Sequence, residues 1–141
     1  MTETIPKGPA RKILIVEDNE DNRELVVKVL RNKGYQMIEA ADGEEAIEKA
    51  VAEMPHLILL DISLPKLDGY EVAKRLKSME AFMDIPIVAF TAHAMKGDRE
   101  KMIAEGFEGY ISKPINIHEF PEQIRLYIRG KRESVLGGEA E

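Results

Sequence analysis

The sequence predicts a doubly wound α/β domain: a parallel sheet of five strands covered by helices on both faces. Three observations predict it. Short, nearly unbroken apolar runs recur at residues 12–17, 57–61 and 86–91, and strands apolar on both faces are the habit of parallel sheets. Segments with apolar residues at helical spacing lie between the runs, several of them opened by Asn or Asp. The runs end in polar groups, Glu17-Asp18, Asp61 and Thr91, and such sheets place their ligands at the carboxyl ends of the strands.

Each element follows from its residues. Residues 1–11 hold Pro6, Gly8 and Pro9 with little apolar content and are expected to form a flexible arm. Residues 12–17 form the first strand. Asn19 caps a helix whose apolar face is read as Leu25, Val26, Val29 and Leu30, and Gly34 ends it. A second, shorter strand covers residues 36–41. Asp42 with Glu45 opens the second helix as a capping-box pair, with Ala46, Ile47, Ala50 and Val51 on its apolar face, and Pro55 closes it.

Leu57-Ile58-Leu59-Leu60-Asp61 is the central strand, four apolar residues running into one carboxylate. Asp68 and Glu71 repeat the cap pattern for a helix bearing Val72, Leu76 and Met79. Pro86 starts the fourth strand, where its missing N–H is tolerated. A loop and helix run to Glu105 and stop at Gly106. Residues 109–112 are a fifth strand, closed by Lys113-Pro114. Asn116 and Glu119 introduce the last helix, with Ile117, Phe120, Ile124 and Ile128 as apolar positions. Pro121 calls for a kink there or a later helix start. Residues 12–130 are thus read as one domain and residues 131–141 as a flexible tail.

The totals bound the function. A chain of 141 residues, 44% hydrophobic and 33% charged, suffices for one domain with a core. Its formal charge of -6 and lack of a basic stripe argue against nucleic acid and anionic membranes as partners. With no cysteine, thiol chemistry is excluded. No apolar run reaches membrane-spanning length and no signal-peptide core is present, so cytoplasmic residence is expected.

The chemistry gathers at the strand ends. Glu17, Asp18 and Asp61 crowded together would repel and raise one another's pKa. A divalent cation resolves that conflict. Oxygen ligands without histidine or thiolate favour Mg²⁺ or Mn²⁺. Such a site also accommodates a phosphoryl group, which Asp61 could attack as a carboxylate nucleophile. Lys113 would neutralise phosphoryl charge and Thr91 would donate a hydrogen bond. Asp68 is better explained as a cap than as a ligand, and His56 and His118 as surface residues.

These residues match a known pattern. An acidic pair after strand one, D-x-S-L-P-x-x-D-G after strand three, Thr-Ala after strand four and Lys-Pro after strand five occur in order. Over residues 12–129 the chain resembles the receiver domain of two-component response regulators, the phosphoacceptor of histidine–aspartate relays, in its stand-alone form. The resemblance implies a flavodoxin-like (βα)5 sandwich with strand order 2-1-3-4-5. It implies that Asp61 is phosphorylated, that Glu17, Asp18, Asp61 and the Ser63 carbonyl hold Mg²⁺, and that Thr91 and Lys113 bind the phosphoryl group. Lys113-Pro114 is then a cis bond, Tyr110 the aromatic switch, and Ser63 and His93 the positions that tune phosphate lifetime. The implied partners are a sensor histidine kinase or histidine phosphotransfer protein and a protein target on the face of the fourth helix, fifth strand and fifth helix. The activity implied is phosphoacceptance with self-phosphorylation and self-dephosphorylation, not turnover of a substrate.

Three rivals are weighed against this. A Mg²⁺-dependent phosphatase with an aspartate nucleophile needs a second acid two residues on, where this chain has Ser63. A non-phosphorylated pseudo-receiver acting as a docking module would not need all of Glu17, Asp18, Asp61, Thr91 and Lys113. A flavodoxin-like cofactor binder is disfavoured because residues 17–21 are too acidic to cradle phosphate alone.

Overall fold

A computed structural model describes residues 11–92 and 96–136. The residues 1–10 of the expected arm, His93, and the end of the expected tail from Gly137 lie outside the described residues. The elements run β1 (Lys12–Val16), α1 (Glu20–Arg31), β2 (Gln36–Ala40), α2 (Gly43–Glu53), β3 (Leu57–Asp61), α3 (Gly69–Lys77), β4 (Ile87–Thr91), α4 (Lys96–Ala104), β5 (Gly109–Ser112) and α5 (Phe120–Leu136). A 3-10 turn at Glu80–Phe82, not anticipated from sequence, joins α3 to β4.

The five strands pair in parallel in the order β2-β1-β3-β4-β5. Alternate residues of each strand feed opposite cores, as the two-residue period of a strand requires. Leu14, Val16, Ile58, Leu60, Ile87 and Ala89 meet α2, α3 and α4. Ile13, Ile15, Leu57, Leu59, Val88 and Phe90 face the other way, against α1 and α5. Every residue of β3 is buried, which explains its uninterrupted apolar run into Asp61.

The caps form as read. Asn19, Asp42 and Asp68 accept from the N–H groups of Asn22, Glu45 and Glu71, the third residue on in each case. Glu45 Oε1 reciprocates by accepting from the Ala41 N–H at 2.8 Å. Gly34 and Gly106 take positive φ after α1 and α4 and let the chain turn away. The three caps set the helix starts, and the turns set where each strand can re-enter the sheet.

Some expectations are corrected. Leu25, Val51 and Ile117 are exposed. On α1 the buried positions are Val26, Val27 and Leu30, so the apolar stripe is rotated by part of a turn. The last helix begins at Phe120, with Pro121 in its first turn, where the absent N–H has no intrahelical partner to lose. Asn116 instead caps the preceding turn, its Oδ1 accepting from the His118 and Glu119 N–H groups. α5 continues to Leu136, past the expected end of the domain at Gly130. Lys131, Arg132 and Glu133 are good helix formers, and the Gly137-Gly138 break comes only after them.

Candidate functional site

The site is built at the carboxyl ends of β1, β3, β4 and β5. Glu17 follows β1 directly, its N–H donating to the Ala40 carbonyl of β2 at 3.0 Å. Asp61 is the last residue of β3 and Thr91 the last of β4. Lys113 follows β5, and its N–H donates to the Thr91 carbonyl at 2.9 Å. The parallel register therefore delivers these side chains to one crevice from distant parts of the chain.

The acids converge as expected. Ligand oxygens of Glu17, Asp18 and Asp61 lie within 4.8 Å of one another. Glu17 is 1% exposed and Asp61 4%, whereas Asp18 opens to solvent. The Lys113 ammonium sits 2.7 Å from Glu17 Oε1 and 3.3 Å from Asp61 Oδ2. It also lies 5.1 Å from the centre of the Phe90 ring. Asp61 Oδ1 accepts from the Ser63 N–H at 3.0 Å, and Glu17 Oε2 from the Asn19 N–H at 3.0 Å.

The charges are perturbed in the sense this burial demands. Burial, reinforced by the charge of Glu17, raises the Asp61 pKa above its ordinary 3.8, against the pull of Lys113. For Lys113, burial is the largest single influence and acts downward. The hydrogen bond and charge of Glu17, together with Asp61, outweigh it and hold the ammonium above its ordinary pKa. Two like charges 4 Å apart interact by about 4 kcal/mol at an effective dielectric of about 20. Three carboxylates against one ammonium leave two negative charges in the crevice. That residue of charge, with an all-oxygen donor set, fits a divalent cation.

The remaining candidates take different places. Thr91 is buried beside the cluster. Tyr110 on β5 is partly buried against the core that contains α2 and α3. The Lys113–Pro114 peptide is cis. Asp68 is engaged as a cap by the Glu71 N–H, away from ligand duty. His56, read as a plain surface residue, accepts the Lys12 N–H on Nδ1 at 2.9 Å and so closes the start of the sheet.

Sequence reasoning missed Arg23. Its Nη1 donates to the Glu17 carbonyl at 2.8 Å and its Nε to Glu39 Oε1 at 3.0 Å, which ties the β1–α1 turn to β2. The available signal was its position four residues after the cap Asn19, on the side of α1 that faces the strand ends. Gly69, the last residue of the D-x-S-L-P-x-x-D-G pattern, gains a packing role that the pattern did not state. A Cβ there would stand 2.5 Å from the Asp61 carbonyl oxygen, so only glycine lets α3 close against the end of β3.

Comparison with known proteins agrees with this geometry. Residues 13–125 match the family model of the response regulator receiver domain. The polar-differentiation response regulator DivK of Brucella ovis is 45% identical over 118 residues, 84% of this chain and 96% of DivK. Chemotaxis protein CheY4 of Vibrio cholerae superposes with a TM-score of 0.81 at 27% identity, over 84% of this chain and 99% of CheY4. The receiver domain of sensor histidine kinase PA1611 from Pseudomonas aeruginosa superposes at 0.78 with 35% identity, over 85% of this chain and 98% of that one. That receiver has a magnesium ion coordinated in its active site cleft.

Proposed function

Because the chain belongs to the response regulator receiver family, and so is a phosphoacceptor signalling switch of a two-component system, we propose that Asp61 is its acceptor. The observation that carries this is a carboxylate 4% exposed, two acidic neighbours within 4.8 Å and an ammonium at 3.3 Å. An Asp61 oxygen attacks the phosphorus of a phosphohistidine or an acyl phosphate. The donor's P–N or P–O bond breaks and its electron pair leaves with the donor, so Asp61 carries the phosphoryl group. Attack of water later returns inorganic phosphate and the free carboxylate.

Glu17, Asp18, Asp61 and the Ser63 carbonyl are the residues assigned to Mg²⁺, with Mn²⁺ the alternative. The ion supplies neutralisation of the crowded acids and of the incoming phosphoryl charge. Asp18 opens to solvent and is the ligand readiest to receive it. Lys113 exchanges part of its hold on Glu17 and Asp61 for phosphoryl oxygens. Thr91 donates its hydroxyl to the same group, and the space it leaves lets Tyr110 turn. Ser63 and His93 set how long the phosphoryl group lasts. Phosphorylation adds about -1.5 to -2 charge and three acceptor oxygens. Inverting a 1:99 equilibrium needs about 5.5 kcal/mol of differential interaction, which a lysine contact, a threonine hydrogen bond and cation coordination together supply.

The donor is a histidine kinase or histidine phosphotransfer protein. The target docks on the face of α4, β5 and α5, where a groove runs past Ile103, Tyr110, Ser112, Gln123 and Tyr127. No helix among the described residues is long and apolar enough to cross a membrane. The test is labelling from acetyl phosphate with Mg²⁺, comparing wild type with Asp61→Asn. Labelling of wild type alone is expected, and equal labelling of both removes Asp61 from this role.

A further inference from the structure

α3 and α4 meet through an aromatic contact outside the acidic cluster. The Lys101 ammonium of α4 lies 4.4 Å from the centre of the Tyr70 ring. Tyr70 also meets Phe107 edge-on, with ring centres 6.0 Å apart and planes at 90°. Tyr70 is the second residue of α3. The first, Gly69, lies hard against the end of β3. Its missing Cβ would stand 2.5 Å from the Asp61 carbonyl oxygen and 2.7 Å from Ile62 Cα. The Gly69 N–H donates to the Ile62 carbonyl at 2.8 Å. No slack separates the 61–62 backbone from the head of α3, so a shift of that backbone carries Tyr70 with it.

One side chain is buried among the described residues of α4. Among its described side chains, at residues 100–104, Met102 is buried, Lys101 is exposed and Ile103 is 60% exposed. Phe107, just beyond the helix, is buried and donates its N–H to the Met102 carbonyl at 3.0 Å. It is the same ring that Tyr70 touches. One side chain at the head of α3 therefore grips both α4 and the segment that ends it.

We propose that Tyr70, holding Lys101 and Phe107, is a latch that ties α4 to the Asp61 segment and reports loading of the site to α4 by a route separate from Thr91 and Tyr110. This rests on the reading of Asp61 as acceptor. Lys113 is engaged here by Glu17 and Asp61, so the latch belongs to the unloaded arrangement. The Ser63 carbonyl would help hold the cation, and engaging it would pull on the 61–63 backbone. The head of α3 follows through Gly69, and Tyr70 leaves its place beneath Lys101. The latch opposes loading, and coupling between two sites is reciprocal, so weakening the latch favours loading.

The experiment titrates beryllofluoride with Mg²⁺ into wild type, Lys101→Met, Tyr70→Leu and the double variant, and reads affinity from amide shifts. An exposed cation–π contact is equivalent to about two- to fivefold in affinity. Lys101→Met, a change at an exposed position, is expected to bind the mimic more tightly by that factor. Tyr70→Leu is expected to do the same or more, and the double variant to gain nothing beyond the tighter single change. An unchanged or weaker constant in Lys101→Met overturns the latch, as do single effects that add in full. Wild type that takes up no beryllofluoride overturns the acceptor reading of Asp61 itself. Uptake by wild type with no change in Lys101→Met overturns the latch alone.

Discussion

The acidic end of β1 and β3 and the α4 side of the sheet are held in opposite ways. At the acidic end, both oxygens of Glu17 and both of Asp61 have donors within 3.3 Å, and Gly69 packs against the backbone without clearance. At α4, the described residues offer one buried side chain, Met102, and a cation–π contact at the surface. The difference teaches how a small domain can be both a fixed chemical site and a switch. The acidic groups are clamped in place by donors and backbone, and the described part of α4 is held by fewer contacts, as suits the element proposed to move.

Core deletions test this contrast most strongly. Leu59→Ala on β3 should cost about 2–5 kcal/mol of global stability, read from denaturant melts. Met102→Ala removes a buried side chain of similar size but should lower the global midpoint less. Its effect should concentrate in faster amide exchange across residues 100–107. Equal global losses would mean that α4 is as firmly held as the central strand.

Next is the charge balance of the crevice. Lys113→Met leaves Glu17 and Asp61 buried with less compensation. It should cost on the order of 1–3 kcal/mol without divalent cations. Much of that loss should return in millimolar Mg²⁺, seen as a thermal shift larger than that of wild type. A Lys113→Met protein as stable as wild type in chelator would show that the ammonium is not what balances the two acids.

The pH dependence gives a smaller, signed effect. Asp61 has a folded pKa above its ordinary 3.8, so the folded state binds its proton more tightly than the unfolded chain. The stability this contributes is fully present below 3.8 and is lost as pH rises through the raised folded value. Metal-free wild type should lose stability across that window more steeply than Asp61→Asn, and Asp61→Asn should be the more stable protein at neutral pH. Parallel pH profiles of the two in chelator would contradict the assigned burial and repulsion.

The smallest effect on stability belongs to the surface of α4. Ile103→Ser should change stability by no more than about 0.5 kcal/mol. It should nevertheless weaken capture of a target by the proposed α4–β5–α5 docking face, measured by titration against the phosphorylated or beryllofluoride-loaded protein. A stability loss as large as that of a core change would show that Ile103 is packed rather than presented.

Much of this was legible along the chain, for a physical reason that also explains the errors. Residues 57–60 and 87–90 have no polar side to offer water, so they had to be buried strands. Asn19, Asp42 and Asp68 each precede a helix at the spacing a cap requires, and each caps one. The mistakes came where apolar residues face no partner. Leu25, Val51 and Ile117 fit a helical stripe by type, but the stripe that is buried is set by which strand residues stand opposite. Arg23 carries no pattern of its own, since it matters through a carbonyl, and the pattern that contains Gly69 does not say that its absent side chain is what lets α3 close on β3.

The sequence alone determined the kinds of groups at the strand ends, the order of the elements and the family pattern they spell. Those follow from local chemistry: apolar runs, capping side chains and turn residues act over a few positions. Only the tertiary structure decided that Lys113 would reach Glu17, 96 residues away, at 2.7 Å and Asp61, 52 residues away, at 3.3 Å. It alone set Tyr70 beneath Lys101. Distances of that kind depend on sheet register and on how tightly helices close over it, and no short stretch of sequence contains both sides of such a contact.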